Sequence, residues 1–96
     1  MKQKVIDYFE IPEDLAKRLT DLLATQSIRE RLLINLVDQP AKYKEMEKEL
    51  VKVVREIEAI KITITNSYVP EKYNSPEYMW NYDGWDIDEN KVQIIQ

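Results

Sequence analysis

Ninety-six residues, 44% hydrophobic and 33% charged with a net charge of −4, set the scale of one domain with a modest core. With no cysteine and no histidine, disulfides, thiolate chemistry, the usual zinc ligands and the commonest general base are all excluded, so any acid–base catalysis falls to carboxylates, lysines or tyrosines. A single glycine leaves few tight turns and favours long helices over a many-stranded sheet.

The first eleven residues read as an N-terminal arm. Val5, Asp7 and Phe9 alternate with Ile6 and Tyr8, a pattern that suits a brief strand or an extended lead. The start has no signal-like apolar run, and no stretch approaches the roughly 20 apolar residues of a membrane span. A cytoplasmic protein without a membrane segment is therefore expected.

Pro12 followed by Glu13 and Asp14 reads as a helix start, because proline suits the first turn and acids complement the helix dipole there. Leu15, Leu19, Leu22 and Leu23 continue at helical spacing. Thr25-Gln26-Ser27 interrupts the pattern, and Ser27-Ile28-Arg29-Glu30 fits a capping box. Two helices, or one continuous helix to Val37, are both compatible with this stretch. Asp38-Gln39-Pro40 is the clearest break, since proline disfavours helical geometry in the residue before it.

The next segment has the strongest periodicity. Tyr43, Met46, Leu50, Val53, Ile57, Ile60 and Ile64 recur at alternating spacings of three and four, a heptad seam that should bury Leu50, Val53 and Ile57. Val51 and Val54 widen the seam and predict more than one neighbour. Residues 60–65 also alternate like a strand, but nothing between Ala41 and Thr65 can turn the chain. The expected fold is mainly α, an antiparallel helical hairpin of residues 12–38 and 40–66. An aromatic, acidic C-terminal segment, 67–96, should pack on it. An α+β fold with short strands at 60–65 and 91–95 is the alternative.

The C-terminal third holds six of the nine aromatic residues, Tyr68, Tyr73, Tyr78, Trp80, Tyr82 and Trp85. It also holds the charge imbalance. Up to Thr65, twelve acids balance twelve bases, whereas from Asn66 onward six acids face two lysines. The rings can supply the core that a bare hairpin lacks, or they can form a binding hot spot. Tyr78, Trp80, Tyr82, Asp83, Trp85, Asp86 and Asp88 are the candidate partner-binding residues, with the carboxylates steering a basic protein surface.

Other motifs fail on inspection. Asp86-x-Asp88-x-Asn90 resembles the opening of a calcium loop, but Lys91 stands where the turn glycine belongs and the closing acid falls past Gln96. No metal and no cofactor is expected. Lys44, Lys48, Lys52 and Arg55 form a basic line, but Glu45, Glu47, Glu49 and Glu56 are interleaved, the mark of a solvated helix face. Together with the acidic net charge, this disfavours nucleic acid. The function expected is a non-enzymatic protein–protein interaction module of inhibitor, antitoxin, immunity or adaptor type, forming a homodimer. A structural subunit of a phage or bacterial particle and a small carboxylate/tyrosine enzyme are the alternatives.

Overall fold

The chain opens with strand β1, Val5–Glu10, and passes through Ile11-Pro12 into helix α1, Glu13–Asn35. The structure, a computed structural model, describes residues 3–82 and 90–96. Helix α2 spans Pro40–Ser67, a short 3-10 turn covers Glu71–Tyr73, and two further strands follow, β2 at Met79–Tyr82 and β3 at Lys91–Ile95.

Local chemistry sets the helix limits. Pro12 stands just outside α1 in extended geometry, and its carbonyl accepts the Ala16 amide to close the first turn. The helix then runs through Ser27 without a break, so the capping box does not start a second helix. α1 stops at Asn35, three residues short of the expected Asp38. There the Leu36 amide bonds the Leu33 carbonyl, and the Gln39 amide bonds that of Leu36. Gln39 is extended (φ −126°, ψ 79°), as a residue before proline must be, and Pro40 opens α2.

Residues 60–65, the alternative strand, are helical. The Thr63 and Thr65 hydroxyls bond back to the carbonyls of Ala59 and Lys61, so these β-branched residues satisfy their polar groups within the helix. The alternative was right about 91–95, which is β3. Its partners are β1 and β2, in an antiparallel sheet of order β1-β3-β2. β3 is central, and its Val92 and Ile94 are essentially inaccessible.

Alternation along the strands gives the sheet a buried face of Phe9, Val92, Ile94 and Tyr82. These residues join Ile11, Ala16, Leu19, Ile57, Ile60 and Ile64 in one core. All of it lies where the sheet covers the hairpin. Between Thr20 and Glu56 no residue is fully buried. The expected burial of α2 is therefore graded: Ile57 is core, but Leu50 and Val53 are half-buried. The loop end of the hairpin projects beyond the core as a two-helix arm.

Candidate functional site

Three of the seven residues expected to bind a partner are described, and all three serve the fold. Tyr82 is 8% exposed. Its hydroxyl donates to the Ala16 carbonyl at 3.1 Å and shares a hydrogen bond with the Thr20 hydroxyl at 2.7 Å. The Tyr82 ring therefore belongs to the core that joins sheet and helices. Trp80 is half-buried against the core and its indole N–H donates to Thr65 Oγ1 at 3.0 Å. Tyr78 is half-buried and meets Tyr73 edge-on, with ring centroids 5.1 Å apart. Asp83, Trp85, Asp86 and Asp88 lie outside the described residues.

Among the described residues, acidity is shifted at Asp7 on edge strand β1 and at Tyr73 in the 3-10 turn beside it. Asp7 Oδ2 accepts the Tyr73 hydroxyl at 2.6 Å, and Asp7 Oδ1 accepts the Tyr8 amide at 2.8 Å. Lys72 Nζ is 3.7 Å from the same carboxylate and 4.9 Å from the Tyr73 ring centre. The Tyr73 hydrogen bond, followed by that of Tyr8, lowers the Asp7 pKa, and the hydrogen bond to Asp7 raises that of Tyr73. Lys4 and Gln96 exchange backbone hydrogen bonds and the Ile11 amide bonds the Asn90 carbonyl. Beyond the irregularity at Val5/Asp7, alternation turns the Tyr8 amide toward the open edge of β1. Asp7 thus occupies an edge donor that another strand would need, a common protection against edge-to-edge pairing.

The projecting arm is the larger feature. The side of α1 facing α2 reads Leu15, Leu19, Leu22, Gln26, Arg29, Leu33 and Leu36, spaced by four and three, each buried or half-buried. This second seam is hidden in the sequence by its two polar members. Arg29 Nη1 donates only to Met46 Sδ, at 3.8 Å, and its Nε is shielded with no acceptor.

On antiparallel neighbours, residues following the two seams turn to one flank and residues preceding them to the other. Leu23 and Lys61, each one past a seam residue, line one cleft of about 310 Å³ with Leu19, Trp80, Asn81 and Tyr82. Arg18 and Glu56, each one before a seam residue, form an ion pair at 3.0 Å. This preceding flank carries the exposed Ile28 and Leu32, and it holds a groove of about 670 Å³ lined by Leu36 and Met46 and by charged residues including Lys42, Glu45, Glu49 and Lys52. The following flank carries Ile34 and Val37, 72% and 68% exposed, and Val51, 43% exposed. From Thr20 to Glu56 the arm has seven acids and seven bases. It is electrically neutral, so the whole net charge lies elsewhere in the chain.

Among the described residues no group of three or more His, Cys, Asp or Glu is placed to hold a metal ion, and no helix is long and apolar enough to cross a membrane. The chain matches no protein-family model, no curated protein and no solved structure.

Proposed function

We propose that this chain is a non-enzymatic protein–protein interaction module and that its contact surface is the projecting helical arm. The observation that carries this reading is the exposure of Ile34, Val37 and Val51 on a part of the hairpin with no fully buried residue. Large exposed apolar side chains on a projecting element favour a role for that element in an interaction surface. The absence of histidine and cysteine supports a role in binding over one in catalysis.

A triple variant, Ile34→Ser/Val37→Ser/Val51→Ser, tests the reading. Folding should be nearly unchanged, because none of the three lies in the core. Capture of protein from the native host by the tagged full chain, read by mass spectrometry with cross-linking, should fall sharply. Equal capture by wild type and variant would move the contact surface off the arm. The second reading puts the contact at the acidic stretch holding Asp83, Trp85, Asp86 and Asp88, facing a basic protein. It rests on the excess of acids after Asn66. It predicts that Asp86→Asn/Asp88→Asn, not the triple variant, reduces capture, and does so most at low salt.

A further inference from the structure

We infer that the arm's partner is a second copy of this chain, docked antiparallel on the outer face of α2 about a two-fold axis at Val51. This rests on the reading of the arm as a contact surface and names its occupant. Val51 is 43% exposed and sits in a shallow depression of about 280 Å³ lined by Glu47, Lys48, Lys52 and Arg55. On a helix, the residues four, seven and eleven positions from Val51 share its face. They are Glu47 and Arg55, Lys44 and Glu58, and Pro40 and Ile62.

That order is complementary to itself only when reversed. With Val51 on the axis, Lys44 meets Glu58 of the second copy and Glu47 meets its Arg55, each contact made twice by symmetry. Ile62, 61% exposed, meets Pro40 of the second copy. A parallel in-register pairing would instead set Lys44 against Lys44 and Glu47 against Glu47. The ion pairs among the described residues join Arg18 to Glu56, Lys52 to Glu49 and Lys72 to Asp7. Lys44, Glu47, Arg55 and Glu58 take part in none of them, so their charges are available to another chain. The preceding flank, by contrast, already joins Arg18 to Glu56 across the two helices.

Electrostatics at longer range agrees. The arm is neutral and the surplus acid lies elsewhere. Reversal about Val51 separates the two sheet ends by about 30 Å, roughly 22 residues at 1.5 Å each. Contact between two single helix faces is small beside the standard interface of about 800 Å² per partner. A dissociation constant in the micromolar range is expected.

Because the chain has no cysteine, Val51→Cys places one thiol on the proposed axis. Under mild oxidation it should give a disulfide-linked dimer of twice the 11.5 kDa chain mass, while Ile28→Cys on the preceding flank stays single. Wild type should sediment as a dimer at about 100 µM, well above such a dissociation constant. Glu58→Lys should weaken the dimer about tenfold, and Lys44→Glu/Glu58→Lys should restore it, an outcome that a merely structural role for these residues does not predict. A wild-type monomer at that concentration, with Val51→Cys unlinked, overturns the homodimer. Loss of host-protein capture in the Ile34/Val37/Val51 variant would still uphold the arm as an interaction surface. Equal linking at Ile28→Cys and Val51→Cys overturns the two-fold geometry.

Discussion

Arg29 costs the hairpin stability where it stands. In the helix seam one Arg29 donor rests on a thioether and its Nε is shielded from any acceptor, which leaves a buried donor unsatisfied. Methionine keeps an unbranched stem without the donors, so Arg29→Met should raise unfolding stability by about 1 kcal/mol, read as a higher urea midpoint at unchanged slope. An unchanged or lower midpoint would mean that the arginine stem and charge are useful where they lie. Asp7 and Tyr73 act in the opposite sense. The folded-state pKa of Asp7 is depressed, so its contribution is full above the ordinary carboxylate value of about 3.9 and is lost as pH falls through the lower folded value. That of Tyr73 is raised, so its contribution is full below about 10 and is lost as pH climbs through the higher folded value. Asp7→Asn should lower stability at neutral pH and flatten its decline in acid, measured by urea midpoints from about pH 2 to 7. A parallel decline in variant and wild type would remove Asp7 from the acid limb. None of this pair was legible in the chain, because Asp7 and Tyr73 are 66 positions apart and neither sits in a motif.

Elements differed in how openly the sequence announced them. α2 was readable because seven apolar residues keep one spacing across a stretch without Gly, internal Pro, Asn or Asp, and that continuity decided residues 60–65 against a strand. The α1 seam is half-hidden, since polar Gln26 and Arg29 occupy two of its positions. β2 gave almost no signal: Met79-Trp80-Asn81-Tyr82 is four residues long, and its rings suited a binding segment as well as a core. The pairing of β1 with β3 joins the two ends of the chain, and long-range pairing of this kind leaves no local trace. Graded burial along α2 gives this scale its own prediction. Ile57→Ala, in the core, should cost about 3 kcal/mol, and Leu50→Ala, in the half-open arm, about 1. Chemical denaturation of both variants checks the ratio. Equal losses would mean that another chain covers Leu50 at the concentration used.

At the scale of the whole molecule, the sheet holds a hairpin that is weakly packed along its arm. β3 is the only strand among those described that pairs with both others, and its Val92 and Ile94 share one buried core with Leu19, Ile60 and Ile64 of the helices. The arm contributes helix but no fully buried side chain, so its helices depend on that clamp for most of their order. Ile94→Ala removes a 1%-exposed side chain and should cost about 2–5 kcal/mol, comparable with the lower part of the roughly 5–15 kcal/mol that stabilises a small domain. The consequence should appear far from the mutation. Ellipticity at 222 nm, which reports mostly α1 and α2, should melt well below the wild-type temperature and in a single transition. Leu33→Ala, inside the helix and only half-buried, should shift the same curve by a few degrees. An Ile94→Ala chain that kept its helical melt while losing only the sheet would show two independent units, and the hairpin would then have to be stable by itself or by pairing with a second copy. Repeating the melts at ten times the protein concentration separates those cases, because only the paired hairpin gains stability with concentration.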